Sequence, residues 1–259
     1  VNRLKNFNWS GWSTLIFLLL LWEVGARAAP GLQVYLPPIS AVMSALAQLL
    51  VTGSVIQHLL VTLERFLAGY LIAAAIGVTS GIALGYFRFL HSLLGMVIEF
   101  LRPMPSVAII PVAILMLGIS DSMIVAVTAY ASVWSILINT IDGVRHIETM
   151  LIDTGRTFGL GRRRILWQIV LPAASPYIIT GLRIALSIAL ILVTTAEMVA
   201  GSQGLGFFIL DEERLMHSSN MYAGIVIVAA VGYLLNRLFL AMEARLMKWR
   251  RGMTARESA

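Results

Sequence analysis

Long apolar runs separated by short polar or proline-rich connections set the layout of this chain. One run extends from Trp12 to about Ala28, behind Arg3 and Lys5. Others cover about 62–87, 93–117, 122–141, 177–199 and 221–241. Each is near the roughly 20 residues that a helix needs to cross the hydrocarbon core of a bilayer. The pattern therefore predicts an all-α integral membrane protein with about six transmembrane helices, a class in which every backbone polar group is satisfied within its own helix. Between the first two runs, Pro30–Val61 holds no Lys or Arg. Within it, Leu36–Ser40 carries two prolines that favour extended backbone, and Ala41–Leu50 predicts a short amphipathic helix lying on the outer surface.

Two of the runs carry internal detail. The second has a ladder of small residues, Gly69, Ala73, Gly77, Gly81 and Gly85. At this interval they form one ridge that lets another backbone approach closely, either within the subunit or from a second copy. The third contains Pro103, Pro105 and Pro111, which predicts a kinked packing helix or irregular backbone lining a pathway. Glu99 and Arg102 are spaced to pair on one helix face.

The one long basic interruption lies between the fourth and fifth runs, from Arg145 to Pro172. A short helix is predicted over Ile147–Phe158, closed by Gly159, because glycine tolerates the left-handed conformation after a helix end. A second short helix runs from about Gly161 to Val170, and Pro172 marks a break before the next span. Of the 19 Lys and Arg, thirteen fall on the same predicted side: Arg3, Lys5, Arg88, Arg145, Arg156, Arg162, Arg163, Arg164, Arg245, Lys248, Arg250, Arg251 and Arg256. The positive-inside rule puts that side, both chain ends and the hairpin in the cytoplasm.

Composition agrees with the pattern. The chain is 59% hydrophobic and 12% charged, with a mean hydropathy of +0.87, whereas soluble domains carry about twice that charged share. One membrane domain over 1–259 is the economical reading, with a core at about 60–241 and the hairpin at about 145–172. The net charge of +6 resides at span ends rather than on a polar domain, which argues against nucleic acid. The chain has no cysteine, which removes disulfides and thiol chemistry. Ala26–Ala28 has the small-x-small look of a leader cleavage site, but Glu23 within the run favours an uncleaved span.

Enzyme chemistry is missing. A phosphate-binding P-loop needs a Gly-Lys pair, and Lys5 and Lys248 follow Leu4 and Met247. There is no metalloprotease or serine-hydrolase motif. His58, His91, His146 and His217 are scattered singly, whereas a metal needs convergent ligands. The glycines at 201, 204 and 206 do not have dinucleotide-binding spacing. Charges within spans remain, and Glu23, Arg183, Glu197 and Arg237 are the candidates among them. A charge at membrane depth costs at least about 2.5–3.5 kcal/mol. Glu197 serves either a pathway or the turn into Gly201–Gly206, and Arg183 either faces a solute or snorkels. The run Asp211–Glu213 is a solvated outer loop or a docking point.

Gly159-x9-Ile169-x-Leu171-Pro172 matches the second half of the "EAA" loop of ABC-importer transmembrane subunits, and the chain resembles that family. Asp153, Thr154 and Gly155 stand where Glu, Ala and Ala are usual. The passage from Arg102 to Ile119, and the Gly204-Leu205-Gly206 step after Glu197, resemble the taurine, aliphatic sulfonate, nitrate and bicarbonate branch. The resemblance implies a type I ABC-importer permease fold with a cytoplasmic coupling helix, in a bacterial inner membrane. It also implies a second copy of the chain, two cytoplasmic ATPase subunits holding ATP and Mg, an extracytoplasmic substrate-binding protein, and surrounding membrane lipid. No cofactor is expected in this chain. Asp153, Thr154, Gly155, Arg156, Phe158, Gly159, Leu171 and Pro172 would make or shape the ATPase contact. Arg183, Thr194, Thr195 and Glu197 are the pathway candidates. The rival reading is an ion-coupled secondary transporter or channel using Glu23, Arg183 and Glu197, although the chain shows no pair of matching halves.

Overall fold

The structure is a computed structural model that describes residues 9–29, 31 and 33–247. Arg3, Lys5, Lys248, Arg250, Arg251 and Arg256 lie outside the described residues. The described regular structure is helical, in the order α1 (Trp9–Ala28), α2 (Ile39–Thr52), α3 (Ser54–Tyr86), α4 (Arg88–Leu101), α5 (Ile110–Leu117), α6 (Asp121–Arg145), α7 (Thr149–Thr157), α8 (Arg162–Ile165), α9 (Leu171–Ala200), α10 (Leu205–Arg214) and α11 (Ser218–Leu246). A 3₁₀ turn over Ser106–Ile109 leads into α5, and a π-helical segment over Leu166–Val170 joins α8 to α9. Among the described residues, five helices are long and apolar enough to cross a membrane. A sixth span is obtained by counting the α4–α5 passage as one, although it bends by 91°.

Helices α3, α6 and α9 form the centre of the molecule. The small-residue ladder of α3 meets α6 of the same chain. A Cβ on Gly77 would lie 2.8 Å from the Cβ of Ile136, and one on Gly81 would lie 2.6 Å from that of Thr140. Gly69 and Gly85 face Thr128 and Val144 in the same register, so the two helices run parallel at close range. Gly143 of α6 and Gly181 of α9 seat the third helix in the same way, against Tyr177 and Asn139. At one end Phe66, Ile110, Met123, Val127 and Val193 fill the core. Val42, Val55, Leu205 and Ala223 tie α2, α10 and α11 onto it. Helix α1 remains almost wholly exposed.

Three expectations need correction. Pro172 does not break the chain: one helix continues from Arg162 to Ala200. A proline lacks one amide and crowds the carbonyl four residues earlier. The wider π turn just before it accommodates both defects, as π adjustments do in membrane helices. The stretch after Gly204 is not a loop but α10, ended by Arg214. Glu99 and Arg102 do not pair; Arg102 is the last residue of the α4 turn before Pro103, and both side chains are exposed. The second span also begins earlier than its apolar run, at Ser54, which places Thr62 and Arg65 two turns or more inside the helix rather than at its start.

Candidate functional site

Two constructions stand at opposite ends of the bundle. The first is the α7–α8 hairpin. Helix α7 ends in a glycine cap: the Leu160 amide donates to the Gly155 carbonyl at 3.0 Å and the Gly159 amide to that of Arg156 at 2.9 Å. Gly159 has φ +76°, a conformation that side chains disfavour and glycine accepts. The inner face of the hairpin, with Ile147, Ile152 and Leu160, packs on Ile165, Val170 and Ala174. Gly155 is buried there, and its side-chain space is filled by Ile169, whose Cδ1 would lie 2.6 Å from a Cβ. The outer face presents Met150 and Phe158, which are 74% and 80% exposed. Thr154 lies between them and turns its hydroxyl onto the Met150 carbonyl at 2.7 Å. Asp153 and Arg156 pair with each other at 3.0 Å in solvent. Leu171 and Pro172 lie beyond the π segment, at the start of α9. The structure thus gathers Asp153 through Gly159 into one turn and carries Leu171 and Pro172 on the supporting helix.

The helix that carries the hairpin has 39 residues, or roughly 58 Å at 1.5 Å per residue. A hydrocarbon core of about 30 Å leaves much of it outside the apolar layer, with the hairpin on the projecting part.

The second construction surrounds Glu197, which is fully buried. Its carboxylate accepts from the Thr62 hydroxyl at 2.8 Å, from Arg65 Nη1 at 3.0 Å and from the Gly206 amide at 3.0 Å. Arg65, itself 7% exposed, also donates to the Gln203 carbonyl at 2.8 Å and to Asp121 at 2.9 and 2.5 Å. Thr62 in turn accepts from the Leu205 amide at 2.7 Å, and His58 from that of Gly204 at 3.1 Å. The loop between α9 and α10 therefore closes over one carboxylate, and its glycines follow from that. A Cβ on Gly204 would strike the Glu197 carboxyl group, and one on Gly206 the Thr194 carbonyl. Gly204 also has φ +109°. Arg65 was missed in the sequence. The signal available was Glu197 itself, since a carboxylate inside a span needs a buried partner.

The other candidate residues do not converge. Arg183 is exposed on α9, 14 positions from Glu197 and so about 21 Å away along the helix. Thr194 and Thr195 bond to carbonyls of their own helix, at 2.9 and 2.7 Å. Glu23 lies near the protein surface, held by Arg27 and Ser40. Within the acidic run, Glu212 turns to His217 and Asn220 at the start of α11, both at 3.0 Å. Arg237 bonds to Tyr233 one turn away, at 2.9 Å.

A multi-pass helical bundle with a capped polar hairpin projecting from one end is the architecture of a transporter's membrane subunit. The chain belongs to the binding-protein-dependent transport system inner membrane component family, whose profile matches residues 73–248. It is an ABC importer permease. An ABC transporter permease protein of Methanocaldococcus jannaschii is 35% identical over 91% of this chain and 90% of its own length. The taurine transport system permease protein TauC of Escherichia coli K12 is 28% identical over 91% of this chain and 88% of its own. The bicarbonate transport system permease protein CmpB of Synechococcus elongatus is 36% identical over 73% of this chain and 66% of its own. Among solved structures, an inward-facing MetNI methionine ABC transporter aligns with a TM-score of 0.62 and 18% identity, covering 73% of this chain and 94% of that one. That likeness shows the fold.

Proposed function

We propose that this chain forms the translocation pathway for a small oxyanion and is driven through the α7–α8 hairpin by a separate ATPase subunit. The observation that carries the coupling is the hairpin itself. Two large apolar side chains, Met150 and Phe158, stand exposed on a rigidly capped turn, mounted on a helix too long for the bilayer. Exposed apolar side chains on such a mount suit a groove in a partner better than water. The substrate class rests on the relatives: taurine, aliphatic sulfonates and bicarbonate, named for TauC, an aliphatic sulfonates permease of Bacillus subtilis and CmpB, all present a small anionic oxygen group. In this reading two copies of the chain assemble with two ATPase subunits, which hold ATP and Mg, and with an extracytoplasmic binding protein. ATP binding draws the hairpins together and rocks the two halves between inward-open and outward-open states. The basic hairpin lies in the cytoplasm. Glu197 then acts as a structural anchor at the opposite end, while the exposed face of α9 with Arg183 is left for the pathway or the second copy.

Gly159→Pro tests the assignment. Proline fixes φ near −65° and removes the amide, so it cannot adopt the +76° cap or donate to Arg156. Uptake of the transported anion is expected to be abolished while the protein still inserts in the membrane. Uptake at the wild-type rate would refute the coupling role.

A further inference from the structure

On the side of α7 away from Met150 and Phe158, the hairpin and the end of α3 enclose a groove of about 830 Å³. It is lined by apolar residues that include Ile82 and Val170, and by four arginines, Arg88, Arg156, Arg162 and Arg163. Asp153 also lines it and is paired with Arg156. Among the described residues, Arg88, Arg162 and Arg163 have no carboxylate within ion-pair distance. So many guanidiniums around one acid create a site for a bulky anion, and planar guanidinium suits phosphate oxygens in pairs.

We propose that this groove binds the headgroup of an anionic phospholipid. The exposed aromatic rings beside it favour a lipid over a free anion. Arg88 lies two residues beyond the end of α3, a candidate span, and opens α4. Beside the groove Phe87, Phe89 and Trp167 are large, aromatic and exposed, the residue type that settles at the membrane–water boundary. Basic pockets between spans at this level hold acidic headgroups, and the apolar lining accepts the glycerol and first methylenes. The bound phosphate bridges Arg88, at the α3–α4 junction, to Arg162 and Arg163 on the hairpin, and so fixes the hairpin against the bundle. The effect of that bridge on transport rests on the coupling role proposed above; the binding does not.

The test is native mass spectrometry of the full chain in mild detergent with added phosphatidylglycerol, phosphatidylcholine or inorganic phosphate. The wild type is expected to retain phosphatidylglycerol and not phosphatidylcholine. Arg88→Gln with Arg163→Gln is expected to weaken retention about tenfold or more, since each charge-assisted hydrogen bond carries a substantial share of such a site. The corresponding lysine pair should retain part of it. Gel filtration checks that each variant is monodisperse; if the glutamine pair is not, the wild-type comparison and the lysine pair decide. Equal retention of the two lipids, or equal retention by wild type and variants, would overturn the proposal. So would inorganic phosphate binding where phosphatidylglycerol does not. Loss of a co-purifying ATPase with lipid retention intact would instead make these arginines partner contacts, and also overturn it. If no ATPase co-purifies with the wild type at all, the coupling reading fails and the lipid result still stands by itself.

Discussion

Glu197 shows how a single residue can organise the end of a bundle. Its carboxylate receives one hydroxyl, one guanidinium and one backbone amide with no exposure to solvent. Breaking a buried ion pair by removing one partner costs about 3–5 kcal/mol when the other charge is left uncompensated. Here Arg65 keeps Asp121, but the Thr62 hydroxyl and the Gly206 amide also lose their buried acceptor. Glu197→Ala is therefore expected to lower thermal stability in detergent sharply. Arg156→Ala, which breaks the solvent-exposed pair with Asp153, should change it by under about 1 kcal/mol. Thermal unfolding followed by loss of monodispersity reads both; equal effects would contradict the anchoring role. At this scale the sequence was half legible. The glutamate and the glycines after it were visible, and either a turn or a pathway role was open. Their partner Arg65 was not, because the apolar run was read as starting at Thr62, which left the adjacent Glu64 and Arg65 looking like a polar span end.

The elements were more legible, since apolar runs and helix caps are local signals. The hairpin helix expected over Ile147–Phe158 is α7, Thr149–Thr157, and its cap at Gly159 has the left-handed φ that glycine suggested. The ladder in α3 was visible from spacing alone, but spacing does not say which helix it meets. The structure pairs it with α6 of the same chain. Pro172 misled because proline's cost was weighed without the π turn that absorbs it. α10 was hidden because its ten residues follow a glycine-rich turn and end in the charged run Asp211–Arg214, which together look like a polar connection. Packing at the ladder can be tested by overfilling it. Gly81→Leu would force side-chain atoms into Thr140, and overpacking typically costs about 1–3 kcal/mol and sometimes more. Gly95→Leu on α4, where a Cβ meets nothing within 4 Å, serves as the control. Reduced yield and stability are expected for the first substitution only; a tolerated Gly81→Leu would mean that α3 and α6 do not pack as closely as described.

For the molecule as a whole, the proposal places the hairpin and α10 on opposite sides of the membrane. The chain contains no cysteine, so single cysteines give clean reporters. Cysteine in place of Thr157 on the hairpin is expected to resist a membrane-impermeant maleimide in intact cells and to react after permeabilisation. Cysteine in place of Glu213 on α10 is expected to react in both. The reverse pattern would invert the topology. The apolar runs made the spans readable, and the basic residues at their ends supplied an orientation. No residue pattern in one chain could show the faces that the proposal assigns to a second copy or an ATPase, because such surfaces are completed by other chains.

The central claim, that the exposed face of α7 engages an ATPase, is tested most directly at Phe158. A photo-crosslinking amino acid at this position, activated in whole cells and followed by mass spectrometry, is expected to capture an ABC ATPase subunit, whereas the same probe at Glu213 should not. Capture of the ATPase from Glu213, with none from Phe158, would contradict the account.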